Sequence, residues 1–206
     1  MISSTKTLPD GYVRSYEINL AMNKGLAVLL NIVGFFIIIF SFTLLLLFTR
    51  WARQGIFSDA FTFNANLSTI GAFLILIVFV ALSLILHELI HGFFFWFFTH
   101  SRPVYALHLA YAYAAAPGWY ISVRQYWIIG LAPLVLIDAV GLLLILLVPA
   151  SWVLLLIFLV ASNTGGSIGD MWIMLRSLRT SPFALVKDVG DAVTFFEIIS
   201  SASKMH

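Results

Sequence analysis

The chain has 206 residues, of which 62% are hydrophobic and only 10% are charged, and its mean hydropathy is +1.04. A soluble domain carries about 25% charged and about 45–50% apolar residues, so these values indicate a membrane protein and exclude intrinsic disorder, collagen and a coiled coil. The sequence contains no cysteine, which rules out disulfide bonds and thiolate metal ligands. The net charge of +2 is too small for a nucleic-acid-binding surface, so we expect no nucleic-acid partner.

Four apolar stretches follow a polar N-terminal segment, which lacks the apolar core of a signal peptide. About 20 apolar residues are needed to cross a bilayer as a helix, and each stretch is long enough to do so. The second stretch is longer than a bilayer requires, so we expect it to tilt, to bend or to bury its excess in protein. The predicted spans are residues 26–48, 67–99, 126–148 and 152–175.

Two segments do not have the pattern of a spanning helix. Residues 103–123 alternate small with aromatic or aliphatic side chains around the turn signal Pro117-Gly118, which favours strand–turn–strand. Residues 182–201 fit either an amphipathic surface helix or a short hairpin ending in 193–199. We therefore predict an all-α membrane protein with four transmembrane helices and a short β-hairpin or re-entrant segment between the second and third spans.

The orientation in the membrane follows from the positions of lysine and arginine. Nine of these residues lie in the N-terminal segment, the second loop and the tail, whereas two lie in the first loop and none in the third. Because cytosolic loops carry the excess of positive charge, both termini are predicted to be cytosolic. This interpretation gives a cytosolic N-terminal segment at 1–25, a four-span membrane domain at 26–176 and a cytosolic C-terminal tail at 177–206.

Ionisable residues inside a membrane are energetically costly and are therefore candidates for function. His87-Glu88-Leu89-Ile90-His91, in the second span, is an HExxH sequence. Residues four apart share a helix face, so His87 and His91 can bind one metal ion. Glu88 lies about 100° round the helix, where it can reach an attacking water without ligating the metal. The alternative is a helix that carries three polar residues by chance.

A zinc site also needs a third protein ligand and an open position. The extended HExxHxxGxxH motif is absent, because Phe94 and Phe97 occupy its glycine and histidine positions, and the next glutamate after the motif is Glu197 in the tail. His100 and His108 are weak candidates, since a lone histidine is usually structural.

Two aspartates in the spans remain as candidates for the third ligand. Asp170 lies near the predicted cytosolic end of the fourth span, at the depth of the histidines, whereas Asp138 lies about 18 Å into the third span. Depth favours Asp170 as the ligand and a hydrogen-bonded structural role for Asp138. Asn163, two turns before Asp170, fits a group that steadies a ligand or polarises the substrate, and fits an interhelical hydrogen bond equally well. Gly165 and Gly169 would permit close helix approach.

On these motifs the chain resembles the bacterial putative zincin peptidase family, whose members are similar to the site-2 intramembrane metalloproteases. Residues 87–91 and 167–172 resemble the two metal-bearing motifs of the family. Residues 8–20 and 185–196 resemble its N-terminal and C-terminal blocks.

The resemblance implies that His87, His91 and Asp170 ligate Zn²⁺ and that Glu88 is the catalytic base. The chain departs from the Leu-Asp-Gly-type motif of site-2 proteases, because Gly169 precedes the aspartate instead of following it.

The function predicted from these features is a zinc-dependent intramembrane or membrane-embedded metalloprotease in the bacterial cell membrane. It would hydrolyse peptide bonds of membrane protein or peptide substrates near the cytosolic face, and residues 103–123 would hold an unwound substrate extended by edge pairing. The alternative is a non-enzymatic zinc-binding membrane protein, such as an adaptor or a metal transporter. A transporter would need a second polar site, for which Asp138 is the candidate. The sequence indicates no oligomeric state.

Overall fold

The computed structural model describes residues 4–54, 69–107 and 112–198. These residues form six strands and five helices. In chain order they are β1 (Tyr12–Asn19), α1 (Lys24–Ala52), α2 (Thr69–Thr99), β2 (Val104–Leu107), β3 (Ala112–Ala115), β4 (Ile121–Ser122), α3 (Val123–Leu147), α4 (Ala150–Gly166), α5 (Ile168–Ser177), β5 (Leu185–Asp188) and β6 (Ala192–Ile198).

The described residues contain four helices that are long and apolar enough to cross a membrane, with α4 and α5 counted together as Ala150–Ser177. Large apolar side chains such as Phe36 and Phe73 are more than 60% exposed on these helices, as expected of surfaces that face lipid instead of water. The structure therefore confirms the prediction of four apolar helices.

Local sequence explains where the helices end. His100 has a φ of +51°, the left-handed conformation that commonly ends a helix, and it follows directly on α2. Pro149 is the N-cap of α4 and separates that helix from α3. Between α4 and α5, the backbone N–H and the hydroxyl of Ser167 both donate to the carbonyl of Asn163, at 2.9 and 2.8 Å. The interruption puts Asp170 in the first turn of α5.

A four-stranded antiparallel sheet accompanies the helices, in the order β1-β6-β5-β4. The all-α prediction is wrong in this respect. The chain ends supply three of the strands: β1 comes from the N-terminal segment, and β5 and β6 form a hairpin in the tail, with Gly190 at a φ of +90° between them. Strand pairing between such distant segments depends on tertiary context, which local periodicity does not report. Strands β2 and β3 pair separately as a two-stranded antiparallel sheet.

The chain divides into two compact units. The first comprises Met1–Val28, Glu88–Ala132 and Gly169–His206 and contains the four-stranded sheet. Its apolar core joins one end of α2 and α3 to the sheet, with Phe95, Ile129 and Phe195 at most 2% exposed.

The second unit comprises Leu29–His87 and Pro133–Ile168, and all of its regular elements among the described residues are helices. Here α1 and α4 approach closely, since a Cβ at Gly34 would lie 2.7 Å from the carbonyl oxygen of Gly165. Gly165 thus permits a close helix approach, here between α4 and α1, whereas a Cβ at Gly169 would meet no other part of the described structure within 4 Å. Arg53 donates to the carbonyls of Ile145 and Val148, which are among the unpaired acceptors at the end of α3.

Candidate metal centre

Helix α2 carries the three polar residues of the HExxH sequence. His87 and His91 are one turn apart and are each only 7% exposed. The boundary between the two compact units falls after His87, but His87 and Glu88 are consecutive in one unbroken helix. The relative placement of these three side chains therefore follows from helix geometry alone.

Asp170 on α5 is the third member of the group. Its Oδ2 lies 3.3 Å from Nε2 of His91. One donor atom from each of His87, His91 and Asp170 lies within 4.8 Å of the other two. Tetrahedral zinc, with bonds of about 2.0–2.1 Å, holds its donors about 3.3 Å apart. The two imidazoles and the carboxylate fit zinc in donor type and in number, and the 3.3 Å between His91 and Asp170 matches the spacing of zinc donors.

A backbone carbonyl on α3 fixes the orientation of the His91 ring. Its Nδ1 lies 2.9 Å from the carbonyl oxygen of Ile129 on α3. A carbonyl can only accept, so Nδ1 carries a hydrogen and Nε2 is the nitrogen that can bind a metal ion. Nε2 is the nitrogen that lies beside Asp170.

The orientation of His87 is fixed by a side chain. Its Nδ1 lies 3.0 Å from Oδ1 of Asn163. The amide nitrogen of Asn163 donates to Oδ1 of Asp138 at 2.9 Å and to the carbonyl of Pro133 at 3.3 Å, which assigns the amide oxygen to the histidine. His87 thus also presents Nε2 for coordination. The contacts of Asn163 are interhelical hydrogen bonds, and one of them holds the ring of His87, so they agree with both roles predicted for it.

The remaining sequence candidates lie elsewhere or have other contacts. Asp138 accepts hydrogen bonds from Asn163 and from the Thr164 hydroxyl, which agrees with the structural role favoured for it. His100 is exposed at the end of α2. His108 lies outside the described residues.

The face of α2 that carries Glu88 is contacted by a tyrosine from β2. Gly92 follows Glu88 by one turn, and a Cβ at Gly92 would overlap the hydroxyl of Tyr105. Burial, followed by the negative charge of Glu88, raises the pKa of Tyr105. Its hydroxyl therefore remains a hydrogen-bond donor at neutral pH.

A buried aspartate on the tail hairpin also contacts α3. Asp188 is 7% exposed and accepts a 2.7 Å hydrogen bond from the hydroxyl of Tyr126 and a 2.8 Å bond from the N–H of Gly190. Burial raises the pKa of Asp188 to about 6 against the opposing effect of these hydrogen bonds.

Sequence reasoning missed the groups that surround the predicted ligands. Pro133, a proline inside a predicted span, indicated that the carbonyl of Ile129 would lose its partner within the helix. The glycine directly after the HExxH sequence was the signal for the close approach of Tyr105. No sequence signal pointed to the Tyr126–Asp188 pair, which depends on how the tail hairpin packs against α3.

Comparison with known protein families matches the part of the chain that carries this donor set. A family model described as a putative zincin peptidase matches residues 80–184, which include His87, Glu88, His91, Asn163 and Asp170. Residues 8–20 and 185–196, which resemble the terminal blocks of the family, lie outside the matched range. No curated protein and no solved structure matches the chain.

Proposed function

We propose that this chain, which belongs to the putative zincin peptidase family, is a membrane-embedded metalloprotease that cleaves membrane-associated proteins. Family membership makes zinc its cofactor and peptide hydrolysis its general chemistry. The proposal adds the residues that perform the reaction, the setting in the membrane and the class of substrate.

The observation that carries the proposal is the grouping of two imidazoles and one carboxylate around a common point. His87, His91 and Asp170 would hold the ion. Zinc bound there would polarise the scissile carbonyl and acidify the attacking water.

Glu88 is the proposed general base. It accepts the proton of the attacking water and returns it to the amine of the departing peptide, which keeps the overall proton count unchanged. Its position next to His87, on a different face of α2, keeps it close to the ligands without making it one.

The membrane setting is supported by the apolar helices that carry the site. The histidines and Asp170 belong to helices long and apolar enough to span a bilayer. The excess of lysine and arginine in the N-terminal segment, the second loop and the tail supports cytosolic termini. The antiparallel pairing of β1 with β6 brings the two ends of the chain together, as this orientation requires. The reaction would then take place near the cytosolic face, where water has a short path.

A helical substrate must be unwound before its peptide bonds can be attacked. Strand β2 is mostly exposed and pairs with β3 on one side, so it supports the proposal that an extended substrate adds to this sheet beside α2. Binding of an extended substrate at the edge of β2, together with metal ligands on membrane-spanning helices, would make this protein similar to the site-2 proteases.

The test is the substitution Glu88→Gln in the purified full-length protein, with a quenched fluorescent transmembrane peptide in proteoliposomes as the probe. We expect zinc content to be unchanged and turnover to fall by about 10²–10⁴-fold, the range typical of a lost general base. Glu17→Gln, on β1 in an ion pair with Arg14, is the matched control and should leave turnover unchanged. Full cleavage by the Glu88→Gln protein would refute the assignment of the base.

A further inference from the structure

Pro133 lies inside α3, more than two turns from either end of the helix. Proline has no N–H, so the carbonyl four residues earlier, that of Ile129, loses its normal partner in the helix. The proline ring also clashes with that carbonyl and turns it away from the helix axis. In a membrane, a carbonyl released in this way must find a partner on a neighbouring element.

The partner of the Ile129 carbonyl is His91. Its Nδ1 lies 2.9 Å from the carbonyl oxygen, in a setting where Ile129 is 1% exposed and the bond is shielded from water. Because the carbonyl can only accept, this contact selects the tautomer that protonates Nδ1. The ring nitrogen available to a metal ion is then Nε2, which lies 3.3 Å from Oδ2 of Asp170.

Pro133 also acts on the other histidine through its own carbonyl. That oxygen accepts a hydrogen bond from the Asn163 amide nitrogen at 3.3 Å. The bond helps to direct the amide oxygen of Asn163 to Nδ1 of His87, 3.0 Å away. Both histidines are therefore held in the Nδ1-protonated tautomer by contacts that lead back to one proline.

We propose that Pro133 is a positioning residue that sets the zinc-binding tautomer of His91 directly and supports that of His87 through Asn163. The inference rests on the proposed function, because it assumes that both histidines are ligands. It goes beyond that function by assigning a role to a residue that contacts neither the metal nor the substrate.

The test compares two replacements at this position in the full-length protein. Pro133→Ala restores an N–H, which would bond to the Ile129 carbonyl and draw it back along the helix axis. A second variant replaces Pro133 with lactic acid, the α-hydroxy analogue of alanine, so that the backbone contains an ester and position 133 again lacks an N–H. The two variants are matched in side chain and differ in the backbone linkage before position 133, which is an amide with an N–H in one and an ester in the other.

Two measurements are made on each variant. The first is the distribution of histidine tautomers in the metal-free protein, from nitrogen-15 NMR of histidine-labelled samples. The second is zinc affinity, from competition with a chelating dye. We expect Pro133→Ala to shift His91 towards Nε2 protonation and to bind zinc about 10–100-fold more weakly, as loss of an outer partner of a metal ligand does. The ester variant should resemble the wild type in both measurements.

The proposal is overturned if Pro133→Ala keeps the wild-type tautomer and affinity, or if the ester variant loses affinity as Pro133→Ala does, since proline packing would then be the cause. Pro149→Ala, at the N-cap of α4, controls for general effects of removing a proline. If the wild type binds no zinc, the proposed function fails, while the tautomer spectra of the metal-free protein still test the role of Pro133 separately.

Discussion

Oδ1 of Asn163 lies 3.0 Å from Nδ1 of His87, and the same amide donates to Asp138. The three side chains form a line of hydrogen bonds from a partly buried carboxylate to a candidate ligand. Replacing Asn163 with leucine should remove the orientation of the imidazole and leave Asp138 without one of its two side-chain donors. We expect zinc affinity to fall by about 10–100-fold in a chelator competition titration.

Thr164→Val is the matched control for this prediction. It removes the other side-chain hydrogen bond to Asp138, at 2.8 Å, without touching His87. Equal losses of affinity in the two variants would show that the carboxylate, and not the contact with His87, is what the site depends on.

Gly92 is the point at which β2 meets α2. In Gly92→Ala the new methyl group would occupy the position of the Tyr105 hydroxyl and push the strand away from the face that carries Glu88. We expect turnover of the quenched peptide to fall while zinc content is retained, and folding stability to fall by about 1–3 kcal/mol from overpacking. Gly118→Ala, whose Cβ would meet no atom within 4 Å, should change neither quantity. Normal turnover by Gly92→Ala would argue against any contribution of this strand to catalysis.

Asp188 should make stability depend on pH. Burial raises its pKa in the folded protein to about 6, from 3.8 for an exposed carboxyl. Because the folded pKa lies above the unfolded one, the folded state binds more protons between these two values, so this group lowers stability as pH rises from about 4 to about 6 and adds no further change above that. Thermal unfolding of the metal-free protein in detergent should show this slope in the wild type and lose it in Asp188→Asn. An unchanged slope would mean that another group is responsible.

The parts of the molecule that follow from local pattern were predictable from the sequence. Four apolar stretches gave four helices, and the spacing of His87 and His91 by four residues put them on one face whatever the rest of the fold. The approach of Asp170 to His91 was inferred from depth in the membrane, because counting residues from the span ends measures position along the bilayer normal.

The parts that depend on distant pairing were not predictable. A short hairpin ending in 193–199 was one of two alternatives for the tail, but no local pattern indicated that this segment would pair with β1 across almost the full length of the chain. The hydrogen bonds behind the two histidines come from Ile129 and Asn163, on two other helices, so they became visible only once those helices were packed. Pro133 indicated that a helix carbonyl would lose its partner, but the sequence alone does not show which side chain faces that carbonyl.

The central claim is that His87, His91 and Asp170 together bind one zinc ion. The most direct measurement is the zinc content and affinity of the purified wild type and of His87→Ala, His91→Ala and Asp170→Ala, with the exposed His100→Ala as the control. We predict about one zinc per chain in the wild type and in the control, and loss of tight binding in each of the three variants. Wild-type affinity in Asp170→Ala, or a wild-type protein that binds no zinc, would contradict the account.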